Sequence, residues 1–211
     1  MDETLILVND SDEPVGFATK LHVHRKGMMH RAFSILVFDR NGRLLLQRRA
    51  AGKYHSAGLW SNSCCGHPRR GEETDVAVHR RLREEMGFDC DLHEVAALIY
   101  RAEVSNDLVE HEYDHIYAGV FDGEPDANPD EVSDWQWLEL SRLRAAVDAH
   151  PGDFTIWLRE LLERKKHHGI EQWCALALGR RHPAEIEIHH GNGKTAGDSP
   201  AGQQSEGTSR R

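Results

Sequence analysis

The residues from Asn62 to Phe88 read NSCCGHPRRGEETDVAVHRRLREEMGF and form the most informative segment of this chain. Gly66 is followed by five residues and then Glu72, and Glu72 is followed by seven residues and then Arg80. The segment ends with further matching positions at Glu84, Glu85 and Gly87. Glycines on both sides of a charged, partly apolar segment predict a helix with a defined start and stop.

This predicted helix suits the binding of a hard cation. Acidic residues crowd its first turn from Glu72 onward, where the helix macrodipole favours negative charge, and Gly87 suits a left-handed C-terminal stop. One face is apolar, with Val78, Leu82 and Met86 at intervals of four. Carboxylates fixed on the other face, such as Glu85, suit Mg²⁺, which takes its remaining ligands from water and substrate phosphate. The helix therefore predicts a diphosphate site, and a solvated, charge-laced helix is the alternative.

A second group of residues suits a divalent ion of the transition-metal type. It consists of three histidines and two glutamates: His24, His30, His67, Glu110 and Glu112. The two glutamates alternate on a predicted strand, so their side chains point to the same face. Imidazoles with carboxylates suit Zn²⁺ or Mn²⁺, and the carboxylates also suit Mg²⁺. Because the chain has 15 histidines, the hypothesis depends on the group as a whole, and any one histidine alone would be taken for a surface residue.

Together these motifs resemble the Nudix superfamily and, within it, the type I isopentenyl-diphosphate isomerase family. The resemblance extends from about Leu5 to Trp157. In chain order the matching residues are His24, His30, RRA at 48–50, Lys53, NSCCGHP at 62–68, EEMG at 84–87, YRA at 100–102 and EHE at 110–112. The NSxCGHP and ExE motifs are specific to this family among Nudix proteins. The chain departs from the general Nudix pattern at Arg81, where the hydrolases carry a metal-binding glutamate.

The resemblance implies a Nudix-type α/β/α sandwich with a mixed β-sheet, and it implies roles for individual residues. The Mn²⁺, Mg²⁺ or Zn²⁺ ion of the active site is expected on His24, His30, His67, Glu110 and Glu112. Glu85 and the backbone carbonyl of Cys65 are expected to hold a second ion, Mg²⁺, which clamps the substrate diphosphate. The residues expected to bind substrate are Lys20, Arg49, Lys53, Arg81, Tyr100 and Trp157.

The resemblance also implies a reaction, the isomerisation of isopentenyl diphosphate to dimethylallyl diphosphate in isoprenoid biosynthesis. Such a reaction adds one proton to an unactivated alkene and removes another two carbons away, so an acid and a base must flank a dry pocket. Cys65 and Glu112 match the two catalytic positions, and Tyr100 is expected to assist Glu112. The spacing does not fix the direction of the two proton transfers. Trp157 has two interpretations, an aromatic face that stabilises positive charge and a core residue of an amphipathic helix.

The remaining sequence predicts an α/β domain. LILVND, AFSILVFD and RLLLQRR predict strands, and Asn41-Gly42 predicts a hairpin between the last two. EVAALIYRAEV and HIYAGVF predict two more strands, with EHE leading into the second, and a short strand and two helices follow. We predict an isomerase domain over 1–168, a C-terminal extension over 169–188 whose structure the sequence leaves open, and a disordered tail over 189–211.

Composition limits the partners and the location. A net charge of −9 argues against binding to nucleic acid, because phosphate contacts need a basic face. No positive leader precedes a long apolar segment, so we expect neither secretion nor membrane association. Four cysteines without a CxxC pattern favour a reducing compartment. We therefore expect a cytoplasmic enzyme with a small-molecule substrate, acting as a monomer or homodimer.

Two other functions remain open. A Nudix pyrophosphohydrolase of a nucleoside diphosphate derivative would share the helix and the Mg²⁺ site, but Arg81, Cys65 and the EHE pair disfavour it. A metal-binding Nudix module without catalysis would share the fold, and the intact Cys65, Glu85 and Glu112 argue against it. Release of phosphate separates the first alternative from isomerisation, and binding without product would support the second.

Overall fold

The computed structural model describes residues 3–104, 106–163 and 169–179. The strands are β1 (Thr4–Val8), β2 (Pro14–Thr19), β3 (His30–Phe38), β4 (Arg43–Arg49), β5 (Trp60–Ser61), β6 (Cys64–Gly66), β7 (Leu92–Val104), β8 (Leu108–Val120) and β9 (Val132–Glu139). The helices are α1 (Lys20–Lys26), α2 (Thr74–Met86), α3 (Leu140–Ala149), α4 (Ile156–Glu163) and α5 (Ile170–Ala177), with a 3₁₀ turn at Pro151–Asp153.

The described strands form one mixed sheet around β3. β3 pairs in parallel with β8 along its whole length, from His30 opposite Glu112 to Phe38 opposite Val120. The other pairings are antiparallel, and they include β3 with β1, β4 and β6, and β7 with β8. A sheet with one long parallel pair among antiparallel ones confirms the predicted mixed sheet.

Helices cover both faces of this sheet, which confirms the α/β/α sandwich. Side chains alternate between the faces of a strand, and the buried residues of β3 divide accordingly. Phe33, Ile35 and Val37 pack in one core with α2, whereas Leu36 and Phe38 pack in another core with α3, α4 and α5. Burial of apolar side chains in two cores supplies the main driving force for folding.

Helix α2 ends where the sequence predicted but begins two residues later. Gly87 has a φ of 73° and follows the last helical residue. A Cβ at Gly87 would lie 2.1 Å from the carbonyl oxygen of Asp126, so only glycine fits. Glu72 lies in the loop before the helix, where its Oε1 accepts a hydrogen bond of 2.6 Å from Arg80 Nε. The ion pair with Arg80 keeps Glu72 in the loop. The helix therefore starts at Thr74, and the predicted start at Glu72 was wrong.

The hairpin between β3 and β4 forms as predicted. Glu110 and Glu112 alternate on a strand as predicted, but that strand begins before EHE and not after it. Gly42 takes a φ of 81° in the turn. Glu110 and Glu112 are inside β8 and do not precede it, because β7 and β8 pair from Leu92–Gly119 to the hairpin at Val104–Leu108. The carboxylates are therefore carried by a paired strand.

Helix α5 shows that part of the C-terminal extension packs on the domain. Its residues Ile170, Trp173 and Cys174 are buried in the core that also contains α4, and Trp173 is 2% exposed. Arg144 links α3 to α5 through an ion pair of 2.7 Å between its Nη2 and Glu171 Oε1. The boundary at residue 168 stays a prediction. The predicted tail over 189–211 lies outside the described residues.

None of the helices within the described ranges combines the length and hydropathy that spanning a bilayer requires.

The packing of α5 gives a test of its contribution to stability. We expect Trp173→Ala to lower the free energy of unfolding by about 3–5 kcal/mol, because it leaves a large cavity in the core. Leu176→Ala removes a side chain that is 49% exposed on the same helix and should change stability by less than about 0.5 kcal/mol. Urea unfolding followed by circular dichroism measures both. Equal stability of the two variants would show that α5 does not contribute to the core.

Candidate active site

One cavity of about 780 Å³ collects most of the residues that the sequence singled out. The predicted substrate-binding residues all line it: Lys20, Arg49, Lys53, Arg81, Tyr100 and Trp157. The predicted catalytic and metal-binding residues on its walls are Cys65, His67, Glu85, Glu110 and Glu112. Its walls come from α1, β6, α2, β7, β8 and α4 and from the segment between β4 and β5.

The three predicted histidine ligands come from different elements and meet at one point. His24 lies on α1, His30 begins β3, and His67 follows β6. One ring nitrogen from each lies within 4.8 Å of the others, and all three residues are buried. His30 also groups in this way with Glu110 and Glu112, because the parallel register of β3 and β8 sets His30 opposite Glu112. The structure thus brings all five predicted ligands together.

Backbone contacts orient two of these imidazoles. The Nδ1 atom of His24 lies 2.7 Å from the carbonyl oxygen of Lys20, and Nδ1 of His30 lies 3.0 Å from that of Met28. A carbonyl oxygen only accepts hydrogen bonds, so Nδ1 carries the proton in both rings when they are neutral. The Nε2 atoms therefore keep their lone pairs, and that of His24 lies 3.3 Å from the Tyr54 hydroxyl. This is how metal-binding histidines are commonly oriented.

The free atoms of the group fit a divalent cation. His30 Nε2 and Glu110 Oε2 are buried and lack a hydrogen-bond partner within the described part of the chain. His24 Nε2 lies 3.0 Å from Glu110 Oε2, and two lone pairs at this distance repel unless a proton or a metal ion lies between them. Unsatisfied buried polar atoms are rare in folded proteins and need an explanation. A cation bound by imidazole nitrogens and carboxylates would satisfy these atoms.

The charge states of the group suit a ligand set. Burial raises the pKa of Glu110, but His24 and His55 outweigh it and hold that pKa well below the usual range. Burial and Glu110 likewise oppose the ionisation of Glu112, yet its pKa is lowered by His30 and His67. Burial lowers the pKa of His67 to about 4, which favours its neutral, ligating form.

The two predicted catalytic groups are held by separate hydrogen-bond partners. Cys65 Sγ lies 3.2 Å from Asn62 Oδ1 and 3.7 Å from Ser34 Oγ. Tyr100 donates a hydrogen bond of 2.6 Å from its hydroxyl to Glu112 Oε2. Burial raises the pKa of Cys65 to about 12, and the nearby charge of Asp114 adds to this, so without a bound cation the site favours the thiol.

The predicted phosphate-binding side chains gather at the α2 side of the cavity. Arg81 forms ion pairs with Glu85 and, at 3.4 Å, with Glu131 Oε2. Lys53 also pairs with Glu131, and Gln47 Nε2 donates a 2.9 Å hydrogen bond to Glu85 Oε2. Guanidinium and ammonium groups with carboxylates nearby suit a diphosphate bridged by a cation. Each carboxylate here already has a cationic partner that an anionic ligand would compete for.

Gly66, which ends β6, allows β3 and α2 to approach each other closely at the cavity wall. A Cβ at Gly66 would lie 2.9 Å from Phe33 Cζ and 3.1 Å from Arg81 Cγ. Real Cβ atoms essentially never come within 3.0 Å of another heavy atom. Gly66 therefore lets α2 carry Arg81 close to β3, as the spacing of the segment requires.

Trp157 and Lys20 are two further predicted residues on the cavity wall. Trp157 is 5% exposed and belongs to the hydrophobic core, yet its ring also lines the cavity. Its indole nitrogen donates a hydrogen bond of 2.8 Å to Ser61 Oγ, and Arg49 Cζ lies 5.2 Å from the ring centroid. Trp157 is therefore a core residue that also lines the cavity, and its role toward positive charge stays a prediction. At the rim, Lys20 Nζ forms an ion pair of 2.7 Å with Glu3 Oε2.

The sequence analysis missed several residues that border the same cavity. They are Ser34, Tyr54, His55 and Glu131. Two more missed residues are buried behind the wall and hydrogen-bond to lining residues, Asn62 to Cys65 and Asp114 to Ser34. Tyr54 and His55 directly follow Lys53, so their position beside a predicted site residue was the available signal. Asp114 continues the alternation of Glu110 and Glu112 on one face of β8, and that period of two also pointed to it. Glu131 carries no sequence pattern that would have indicated it.

Comparison with solved structures supports the fold. A Deinococcus radiodurans protein superposes with a TM-score of 0.60 over 70% of this chain and 90% of its own, at 24% identity. The MutT protein from Methanosarcina mazei Go1 superposes with a TM-score of 0.54 over 69% of this chain and 92% of its own, at 16% identity. At these identities the likeness concerns the fold alone.

Sequence comparison shows the family. The NUDIX domain model matches residues 28–164. The chain is 56% identical to isopentenyl-diphosphate Delta-isomerase 2 of Photorhabdus laumondii, over 83% of this chain and 99% of that protein. It is 50% identical to isopentenyl-diphosphate Delta-isomerase of Serratia proteamaculans, over 84% of this chain and 99% of that protein. The protein of that name from Burkholderia multivorans is also 50% identical, over 82% of this chain and 99% of that protein. This chain belongs to the isopentenyl-diphosphate Delta-isomerase family of NUDIX-domain proteins.

Proposed function

We propose that this protein isomerises isopentenyl diphosphate to dimethylallyl diphosphate, as the names of its relatives state for them. One observation carries the proposal: Cys65 and Glu112 line a single cavity that also contains basic side chains and borders the donor cluster, the group formed by His24, His30, His67, Glu110 and Glu112. This arrangement occurs in a chain that is 50–56% identical to three proteins of that name over at least 82% of its length.

The two ends of the cavity match the two ends of this substrate. The diphosphate would lie among Arg81, Lys53 and Lys20, where guanidinium forks and ammonium groups offset its charge. The hydrocarbon would lie against the rings of Trp157 and Tyr100, which also line the cavity. Binding the charged end firmly holds the short alkene in one orientation between the catalytic groups.

The chemistry requires two proton transfers at opposite sides of the alkene. One of the pair Cys65 and Glu112 donates a proton to the terminal carbon, and the other removes a proton from the carbon next to the one that bears the diphosphate. The double bond moves by one position, and the numbers of protons and electrons do not change. Asn62 and Ser34 hold the thiol and Tyr100 holds the carboxylate, so both groups have fixed positions. The Trp157 ring offers a π-face to the tertiary cationic centre.

We further propose which residues hold the metal ions. A Mn²⁺, Mg²⁺ or Zn²⁺ ion would bind His24, His30, His67, Glu110 and Glu112, and a Mg²⁺ ion would bind Glu85 and the Cys65 carbonyl. When bound, these ions would supply positive charge at the catalytic carboxylate and at the diphosphate. The buried, unpaired His30 Nε2 and Glu110 Oε2 support the first site. Glu85 already pairs with Arg81. We therefore propose that the second ion binds together with the substrate, whose diphosphate supplies further ligands.

Hydrolysis of a nucleoside diphosphate derivative fits this cavity less well. Arg81 stands where the hydrolases carry a glutamate, and its guanidinium pairs with both Glu84 and Glu85. Losing one carboxylate and adding a cation reduces the number of ligands for the metal ions that hydrolysis needs. We also propose a monomer or homodimer in the cytoplasm, and the lack of a disulfide between the four cysteines, all of which lie in the described ranges, supports this location.

Proton NMR in D₂O tests the function. The protein, loaded with Mg²⁺ and Mn²⁺, is incubated with isopentenyl diphosphate while phosphate release is followed in parallel. We expect dimethylallyl diphosphate that carries deuterium, because each turnover exchanges protons with solvent-equilibrated groups, and we expect no phosphate. Release of phosphate from nucleoside diphosphate derivatives, without isomerisation, would favour a hydrolase. Binding of substrate without any product would favour a module without catalysis.

Replacement of the thiol tests the role of Cys65. We expect Cys65→Ala to lower turnover by at least about 10²-fold, because it removes a proton-transfer group. Binding of metal and diphosphate should stay close to wild type, since no side-chain ligand is lost. Initial rates and metal content measure the two effects. Cys90→Ala, which removes a thiol outside the cavity, should keep its full rate. Near wild-type turnover of Cys65→Ala would exclude Cys65 from catalysis.

Replacement of the carboxylate tests the double role of Glu112. We expect Glu112→Gln to lower metal affinity by about 10- to 100-fold or more and to lower turnover even at saturating metal. The reason is that one substitution removes a charged ligand and a catalytic group. Metal content after dialysis and rates at increasing Mn²⁺ separate the two effects. Glu139→Gln, a change at a side chain 58% exposed, serves as the control. Full metal content with full rate would remove Glu112 from the site.

A further inference from the structure

We propose that His55 is a positioning residue of the metal site, which holds the Oε1 oxygen of Glu110 and leaves Oε2 to the metal ion. The inference rests on the proposed function, because it concerns the same site. It adds a residue to which the resemblance to the isomerase family assigns no role. His55 lies between β4 and β5, two residues after Lys53.

The ring of His55 has a fixed position. Its side chain is 5% exposed. Tyr54 lies edge-on to it with ring centroids 4.3 Å apart, and Trp157 lies edge-on at 5.9 Å. The backbone carbonyl oxygen of His55 accepts a hydrogen bond of 3.2 Å from Arg49 Nη2. A buried imidazole packed between two aromatic rings cannot move away from Glu110 without disturbing the cavity wall.

Glu110 presents its two oxygens to two different imidazoles. Its Oε1 lies 3.0 Å from His55 Nε2, and its Oε2 lies 3.0 Å from His24 Nε2. Oε2 is buried and lacks a hydrogen-bond partner of good geometry within the described ranges. The carboxylate thus has one oxygen toward His55 and one that is left for another ligand.

The partners of the two imidazoles give them opposite tautomers. His24 has a carbonyl oxygen beside Nδ1, at 2.7 Å, so its proton sits there and Nε2 carries a lone pair. His55 has the hydroxyl of Ser56 beside Nδ1, at 3.2 Å. Nε2 of His55 faces a carboxylate oxygen, which only accepts, so in the neutral ring Nε2 carries the proton toward Glu110 and Nδ1 can accept from the Ser56 hydroxyl. One imidazole is therefore prepared to bind a metal ion and the other to hold the carboxylate.

Direct ligation by His55 is the competing role. Donor atoms of His24, His55 and Glu110 lie within 4.8 Å of one another, so distance alone permits it. An imidazole nitrogen that carries a proton has no lone pair for a metal ion, and the contact with Ser56 favours that state. Imidazoles and carboxylates that hydrogen-bond to a ligand fix its orientation, and their loss commonly weakens metal binding.

Binding of Co²⁺ to the full chain tests the inference without substrate. Affinity is measured by competition with a chelating dye, and the visible d–d bands report the ligand set. We expect His55→Phe, which keeps an aromatic ring and removes both nitrogens, to weaken binding by about 10- to 100-fold. The band positions and intensities at saturation should stay those of the wild type. His55→Gln should restore most of the affinity, because its amide N–H can donate to Glu110.

Controls separate this role from general destabilisation. His93→Phe changes a side chain that is 66% exposed on β7 and should leave Co²⁺ affinity unchanged. Should His55→Phe fail to fold, Ser56→Gly removes the hydroxyl at a residue whose φ is 50°, which glycine tolerates. We expect Ser56→Gly to weaken Co²⁺ binding, but by less than the replacement of the imidazole in His55→Phe.

Two results would overturn the inference: unchanged Co²⁺ affinity in His55→Phe or, should that variant not fold, in Ser56→Gly; or a spectrum showing that a nitrogen ligand is lost in His55→Phe. Because no substrate is present, neither result depends on isomerase activity. A wild-type chain that binds Co²⁺ as expected but yields no dimethylallyl diphosphate would reject the proposed function and leave the role of His55 intact.

Discussion

The parallel pairing of β3 with β8 is the constraint on which the site depends. Its register sets His30 opposite Glu112, and the same ladder continues to Phe38 opposite Val120 in the core. Side chains alternate along both strands, so a slip of one residue would turn Glu110 and Glu112 away from the histidines and turn core residues toward solvent. The hydrophobic cores on the two faces therefore fix the position of the carboxylates, although these carboxylates contribute little to the cores themselves.

The donor cluster carries a cost that the rest of the fold must offset. His24 and His30 are fully buried, Glu110 and Glu112 are nearly so, and Glu110 Oε2 and His30 Nε2 lack hydrogen-bond partners among the residues described. Burial of polar atoms without partners destabilises a folded protein. A cation that binds only the folded state would recover this free energy, so metal binding and stability are coupled. Long paired strands and two apolar cores let the chain keep such a cluster.

A single pleat of the sheet separates two adjacent thiols. Cys64 and Cys65 both lie on β6, which pairs with β3 so that Cys64 is opposite Ile35 and Cys65 is opposite Ser34. Cys64 is fully buried in the core formed with α2, whereas Cys65 lines the cavity beside Ser34 and Asn62. Sequence adjacency thus gives the two residues different surroundings, because successive side chains of a strand point in opposite directions.

The sequence by itself determined the charged helix with its stop at Gly87, the strands of the two hairpins, and the alternation of Glu110 and Glu112 on one face of a strand. These features are local, or they depend on spacing along one element, and period and composition are enough to indicate them. Tertiary structure alone decided that α5 packs through Trp173, that Glu131 borders the cavity, and that His24, His30 and His67 meet the two glutamates at one point. These features arise from contacts between residues that are distant along the chain, and no periodicity in the sequence encodes which distant side chain will fill a given space.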